Sequence, residues 1–430
     1  MHTNREIKAI RSKYLRSILA IHFNARSGVI FILFYSSIME LLISFLHAPT
    51  SIRYINDFVL SAVVISLWTG YAHVFKKQKA NLVIYSIFAL LVFDLFTSLI
   101  NFVQPQLVFW ALRNTFRGIL YFLSVAAVLY IDDIAKIFGF LFWLQIPNIL
   151  IGVYQWRFLD TGLGDEVHGI FATGAGANMF SILLVAYYLN EYLSRRENLV
   201  RVIVVTVLSI FMAVIGEEKT AFVYLIVVFI ISLLVSKWSL KTLLSIFIVC
   251  ILAFVMFDWI ETVRPSMLSV FLDMEGTEKY LNSTWSNAYG IPRIGAFTFI
   301  SSVFFKNDIF KELFGLGFGN CEYSQLKVFQ SDFAKQYIHL EYRNFVHQWT
   351  FLETGYIGFS LLIIFFSCII ICLIAKRFIY KNSENASFNV TSICIALCCI
   401  VSMWSNNTIK YDSAFLPYFG IALGFLSSRK

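Results

Sequence analysis

The stretch "NFVHQWTFLETGYIGFSLLIIFFSCIIICLIAKR", Asn344 to Arg377, decides how the chain is read. From Tyr356 to Ala375 it is apolar and uncharged. At ~1.5 Å per residue that run is long enough to cross a ~30 Å hydrocarbon core as a helix. Its first third is different. His347, Trp349, Glu353 and Gly355 gain nothing from lipid, so this polar start requires partners inside the protein.

Similar apolar runs recur along the chain, for example "TAFVYLIVVFIISLLVS" from Thr220 to Ser236. The 430 residues are 59% hydrophobic, 17% aromatic and 14% charged, against about 25% charged in a soluble domain. Continuous apolar runs with short polar breaks predict an all-α, polytopic membrane bundle; a β-barrel would alternate in ~10-residue segments. Hydropathy predicts about twelve spans, near 28–47, 56–75, 81–103, 116–131, 136–156, 170–190, 200–215, 219–236, 241–258, 347–375, 388–406 and 412–427.

Charge in the connections orients these spans. With the N-terminus inside, "KKQK" (76–79), "NEYLSRRENLVR" (190–201), "SKWSLK" (236–241), "AKRFIYKN" (375–382) and the closing "SSRK" are cytoplasmic and basic, while "DDIAK" (132–136) is the exception. Residues 1–27 then read as a cytoplasmic basic segment, with no small-residue cleavage site after it. Residues 28–258 hold the first nine helices, and 259–346 form one large extracytoplasmic loop. Residues 347–430 hold the last three helices and a cytoplasmic tail. Both termini are expected inside, with the chain multi-pass in the cytoplasmic (inner) membrane.

The net charge of +8 does not indicate nucleic acid. The cations sit in short clusters between spans and form no stripe interleaved with exposed aromatics. Cys250, Cys368, Cys372, Cys394, Cys398 and Cys399 lie in apolar runs, and only Cys321 stands in a polar region. Without zinc spacing or an Asp-x-Asp pair, neither a metal nor a cofactor is expected.

Cations near the outer ends of spans run against the inside bias. Arg113 and Arg117 flank the fourth span, and Arg157 ends the fifth. Lys219 sits in "IGEEKTAF", where two apolar runs nearly touch; Arg264, Arg293 and Arg343 lie in the large loop. A guanidinium binds phosphate through two parallel hydrogen bonds, and a lysine binds it as a point charge. Any one of them alone reads equally well as a side chain snorkelling to the headgroups. Together they suit a lipid-linked pyrophosphate at the outer leaflet.

"FGLGFGN" (Phe314 to Asn320) lacks the strand, helix and spacing of a dinucleotide fingerprint, and reads as a tight turn or close backbone packing. His347 stands where the large loop returns to the bilayer, and a neutral imidazole there can take a proton from a sugar hydroxyl. Six residues at ~100° each put His347 and Glu353 on different helix faces. Glu353 therefore reads as a buried anchor, bonded to a neighbouring helix or an arginine. Gly355 and Gly358 read as sites of close helix packing.

Four stretches in this order carry a family likeness: "IPNILIGVYQWRF" (146–158), "HGIFATGAGANMFSILL" (168–184), "VIGEEKTAF" (214–222) and "FGLGFGN…VHQWTFLETGYIG" (314–358). The chain resembles the O-antigen ligase/polymerase superfamily of bacterial envelope proteins (the Wzy-type polymerases and their ligase relatives). The second stretch is similar to the family's Gly-x-Phe…Asn segment at Gly169, Phe171 and Asn178. The last is similar to its closing pattern, a Gly-rich turn followed by His-Asn-x-x-L…E-x-G-x-x-G. Lys219 stands where the family has arginine, and Gln348 where it has asparagine.

The resemblance implies a glycosyltransferase C-like helical fold and metal-independent transfer of a glycan from undecaprenyl pyrophosphate at the outer face of the cytoplasmic membrane. It implies that His347 and Arg293 are catalytic, His347 as general base on the acceptor hydroxyl. Arg264 and Lys219 are carried over as substrate-binding; Asn178, which matches the family's segment, and the outer-end cations Arg117, Arg157 and Arg343 complete the expected substrate-binding set. The expected partners are an undecaprenyl-pyrophosphate-linked oligosaccharide, the lipid bilayer, a chain-length regulator and a flippase. A polysaccharide polymerase is the favoured reading, and a ligase acting on a lipid A core or protein acceptor is the alternative. A transporter of another class predicts repeated halves and midplane ionisable groups, whereas only Glu40 and Asp94 are acidic residues well inside spans.

Overall fold

The computed structural model describes residues 24–67, 80–159, 167–194, 196–235, 261, 273–282, 290–379 and 386–426. Among these the chain is helical, with no strand. Its principal helices are α1 (Ala25–Ser44), α2 (Ile55–Leu67), α3 (Asn81–Ile100), α4 (Pro105–Val128), α5 (Ile131–Phe158) and α6 (Gly174–Leu193). They continue with α7 (Leu199–Ile215), α8 (Lys219–Val235), α9 (Val346–Ile379), α10 (Ala386–Ser402) and α11 (Phe415–Ala422). Short helical pieces fill 296–344. Five described helices are long and apolar enough to cross a membrane: Ala25–Ser44, Thr50–Leu67, Asn81–Ile100, Ile131–Phe158 and Val346–Lys376. α7, α8 and α10 are apolar but shorter.

The sidedness of α3 shows which solvent the bundle suits. It turns Ser86, Asp94, Thr97 and Ser98 inward and presents Leu82, Tyr85, Phe88, Val92, Phe96 and Leu99 outward. A helix in water does the reverse. α6 is buried on nearly every side, packed against α7, α8, α10 and α11. α9 packs on α3 and α10, and α4 on α1, α2 and α11.

Polar contacts gather at the two ends of this apolar bundle. At one end Arg26 pairs with Asp133, Ser387 bonds Glu191, and Lys376 Nζ donates to the Gly424 carbonyl. The other end carries Arg53–Glu40 at 2.8 Å, Arg113 on Asp57, and the segment 290–345.

That segment is docked on a break in α9. Gly355 has φ +63° and ψ −163°, outside helical values. The break removes helical donors from the preceding carbonyls. Leu316 N–H donates to the Leu352 carbonyl at 2.8 Å, and Gly317 N–H to that of Glu353 at 2.9 Å. Only glycine permits the approach: a Cβ on Gly355 would lie 2.5 Å from the Glu312 carbonyl oxygen, and one on Gly315 2.4 Å from that of Glu353.

Several spans differ from the hydropathy reading. The fourth helix begins at Pro105 and not near 116, because Arg113 and Arg117 lower the hydropathy while packing inside the fold. The fifth begins at Ile131 and not near 136, because Asp133 caps it, accepting from Tyr130 N–H at 3.1 Å. The expected single span at 347–375 is a broken helix. The expected span at 241–258 and the N-terminal segment 1–23 lie outside the described residues.

A test follows from the glycines. Gly355→Ala combines a left-handed backbone with a backbone clash, and is expected to destabilise the protein by more than ~2 kcal/mol. Gly139→Ala, with nothing within 4 Å of the added Cβ, should be neutral or stabilising. Thermal denaturation of both variants in detergent checks the contrast; equal stabilities would refute the docking role.

Candidate functional site

The described candidate residues collect at the end of the bundle that carries the break, in three groups. The first surrounds His347, which is 1% exposed. Its Nδ1 lies 2.9 Å from the Met403 carbonyl oxygen, and its Nε2 lies 3.0 Å from that of Arg293. The ring stacks beside Trp404 at 5.8 Å. The next residue continues the grip: Gln348 Nε2 donates to the Ile291 and Pro292 carbonyls at 3.2 Å. Gln348 thus holds the carbonyls at 291 and 292, and the His347 ring lies against the third, at 293. Arg293 is half-buried, its guanidinium 5.2 Å from the Phe345 ring. The structure brings Arg293 and His347 together, and both imidazole nitrogens face carbonyl oxygens.

The second group is a buried ionic cluster. Arg343 lies 3.6 Å from Glu322, and Lys410 3.9 Å from Glu353; all four side chains are at most 6% exposed. Asn114 Nδ2 donates to Glu322 at 2.9 Å. Arg117 donates to the Lys410 carbonyl at 3.4 Å. The Trp349 ring takes Arg343 at 4.3 Å and Lys410 at 4.5 Å. Burial, reinforced by the neighbouring Glu353, pushes the Glu322 carboxyl above the usual carboxylate range, against the pull of Arg343. Burial likewise raises the Cys321 thiol.

Glu353 itself is held by the glycine turn. Its Oε1 accepts from Gly319 N–H at 3.1 Å and from Cys321 N–H at 3.4 Å. Its partners are therefore backbone amides and Lys410, with the charge of Arg343 also acting on it. His347 and Glu353 leave the helix on different faces, as their spacing requires. Gly358 packs against Thr354 and faces Phe93 of α3.

The third group joins α6 to the α7–α8 turn. Asn178 Nδ2 donates to Glu218 Oε2 at 2.8 Å, and a Cβ on Gly174 would lie 1.6 Å from Glu218 Oε1. α6 starts here because the Thr173 hydroxyl accepts from Gly176 N–H at 3.2 Å. Lys219, the next residue, opens α8 and is half-buried. The loop before α6 is fixed by α5: Gln155 Oε1 accepts from Gly169 N–H at 2.7 Å, and Asn148 Oδ1 from Ile170 N–H at 3.0 Å.

Of the remaining candidates, Arg157 ends α5 exposed, over Trp156 at 5.1 Å. Arg264 lies outside the described residues. Arg117 and Arg343 point into the protein and away from its surface. The sequence reading missed Lys410 and Glu322. Lys410 sits in the short connection "NNTIKYDS" between α10 and α11, and a cation there was the available signal. Glu322 follows the glycine turn by three residues, but its burial has no sequence mark. Among the described residues no three His, Cys, Asp or Glu side chains are grouped to hold a metal ion. Compared with known proteins, the chain matches no family model and no curated sequence.

Lys410→Met removes the cation facing Glu353. Breaking a buried pair from one side is expected to cost about 3–5 kcal/mol. The double variant with Glu353→Gln should recover part of that loss. A double-mutant cycle by denaturation checks this, and additive losses would show that the two groups do not interact.

Proposed function

We propose that the protein is a membrane glycosyltransferase, a polysaccharide polymerase. It moves a growing glycan from undecaprenyl pyrophosphate onto a lipid-linked repeat unit at the outer face of the cytoplasmic membrane. The supporting observation is the convergence of Arg293 and His347, 54 residues apart in sequence, at the bundle end shared with Lys219 and Asn178. In this reading the chain has about twelve spans, with both termini inside. Residues 259–346 form the large external loop, and the end carrying the break in α9 is the outer one. A chain-length regulator and a flippase are its protein partners.

The chemistry divides between the groups. With the ring N–H on Nδ1, donating to the Met403 carbonyl, Nε2 carries the lone pair; the acceptor hydroxyl takes the place of the Arg293 carbonyl there and gives its proton to Nε2. The hydroxyl oxygen bonds to the anomeric carbon of the donor. The bond from that carbon to the pyrophosphate oxygen breaks, and its electron pair stays on the departing diphosphate. Arg293 and Lys219, joined by Arg264, match the charge that develops there. Placed cations of this kind carry much of the catalysis when the leaving group is anionic. Arg157, exposed at the end of α5, serves the same diphosphate. Arg117 and Arg343 act from within, holding the loop and α4 in place.

His347→Ala and Arg293→Ala are each expected to abolish long-chain glycan while the protein remains inserted. Normal chain-length ladders from both variants would overturn the assignment. A deletion strain's glycan profile separates the two transferases. Single repeats on the acceptor mark a polymerase, and long chains stranded on the undecaprenyl carrier mark a ligase.

A further inference from the structure

The outward side of α3 does not end with the helix; it continues onto the segment 290–345. α3 has 20 residues, a rise of about 30 Å, which matches one hydrocarbon core. Phe88, Val92, Phe96 and Leu99 lie along its exposed side. The Phe314 ring stands 6.1 Å from Phe93 and 6.0 Å from Phe96. Those two residues are roughly 6–10 Å short of the end of α3 at Ile100. From Phe314 the chain runs on toward that end. Ser98 Oγ donates to the Phe318 carbonyl at 2.8 Å, and a Cβ on Gly317 would lie 2.7 Å from Asn101 Cβ.

The short helix Ile309–Phe314 therefore lies level with the last turns of α3, not past its end. α9 gives the same level independently. From Lys376 to Gly355 it rises about 32 Å, again one core thickness. At Gly355 an added Cβ would meet the Glu312 carbonyl oxygen and the Leu313 carbonyl carbon, each at 2.5 Å. The short helix is thus placed at the edge of the hydrocarbon by both of the long helices it touches.

Its sidedness fits that depth. Ile309, Phe310, Leu313 and Phe314 share one face at helical spacing, with Asp308, Lys311 and Glu312 off it. Asp308 caps the helix, accepting from Phe310 N–H at 2.9 Å. Ile309 and Phe310 are 64% and 65% exposed. Phe310 lies 5.3 Å from Phe314, so one apolar surface runs ring to ring from Phe96 through Phe314 to Phe310. Lys306 and Lys311 are exposed beside it in sequence. Isolated exposed apolar residues are ordinary; this pair extends a side already turned to lipid.

We propose that Ile309–Phe314 is an interfacial foot of the protein. Ile309 and Phe310 enter the acyl chains of the leaflet at this end, and Lys306 and Lys311 reach the phosphates of its phospholipids. A protein partner seated on Phe310 would also cover Phe96 and take it out of lipid. The inference does not need the transferase reading. It returns part of residues 259–346, expected outside the membrane, to the bilayer. It also clamps a lipid-held helix onto the break that positions His347 and Gln348.

Photo-crosslinking of the full-length chain tests it, in nanodiscs of phosphatidylglycerol and phosphatidylcholine. p-Benzoylphenylalanine replaces Phe310 in one variant. A second carries it at Phe88, exposed on α3, as the lipid reference. A third carries it at Asp332, an exposed partner of Lys335, as the water reference. Mass spectrometry after irradiation reads the adducts. The expected result is phospholipid capture at 310 comparable to that at 88 and far above that at 332. Capture at 310 no greater than at 332, with capture at 88 intact, would overturn the proposal. So would a second copy of the chain or another protein as the main adduct at 310. Adding Lys306→Glu and Lys311→Glu should lower phosphatidylglycerol capture at 310, relative to phosphatidylcholine, by about fivefold or more. An unchanged ratio would refute the headgroup contact.

Discussion

The rest of the structure depends on two backbone carbonyls of α9, at Leu352 and Glu353, that the helix itself does not satisfy. In a bilayer a freed carbonyl has no water to turn to, so a break in a spanning helix must be closed by protein. The glycine turn closes it with the amides of Leu316 and Gly317, and then takes the Glu353 carboxylate with those of Gly319 and Cys321. The turn is also wedged from behind, since a Cβ on Gly319 would lie 2.9 Å from the Leu107 carbonyl oxygen. One contact therefore ties α9, the segment 290–345 and the start of α4 together. His347 and Gln348 lie about two turns before the break on the same helix. Their contacts with 291–293 have their position because the break has its position.

The ionic cluster follows from the same geometry. Once Glu353 is buried beside the turn, a carboxylate sits in a dry interior and requires a cation; Lys410 comes from the α10–α11 connection. Glu322 is carried in by the turn and requires Arg343. Such pairs add little net stability over an apolar core, because desolvation consumes most of the Coulomb gain. They do fix geometry, since any other register of the loop strands a charge. Trp349 lies between both cations, so its ring couples the two pairs.

The sequence made the large-scale order legible and the joints illegible. Apolar runs mark α1, α3, α5 and α9, because lipid-facing sides leave a continuous hydrophobic signal. The same signal hides the start of α4, where Arg113 and Arg117 are paired inside and hydropathy counts them as if they faced lipid. The spacing of His347 and Glu353 gave their different faces, since both precede the break. The break itself was not readable. Gly355 and Gly358 look alike in sequence, yet only Gly355 takes a left-handed φ, because only there does another backbone approach. Glu322 and Lys410 escaped for a related reason: their partners are distant in sequence, and a pairing across 208 residues, such as Asn114 with Glu322, leaves no local pattern.

The cations at this end of the bundle divide by their surroundings. Arg343 and Lys410 face carboxylates in a low-dielectric interior, where a second anion would have to compete with a partner already desolvated. Arg293 and Lys219 are half-buried, and Arg157 is exposed. On the proposed function, an incoming diphosphate would reach these without dismantling the cluster beneath. The arrangement is layered: an inner set of charges holds the segment 290–345, and Arg293 stands on what that set holds. Loss of an inner cation should therefore act through the placement of Arg293, whereas loss of an outer one acts on the ligand directly. The Gln348 amide, which holds the Ile291 and Pro292 carbonyls, is the joint between the layers. It converts the position of a helix break into the position of an arginine.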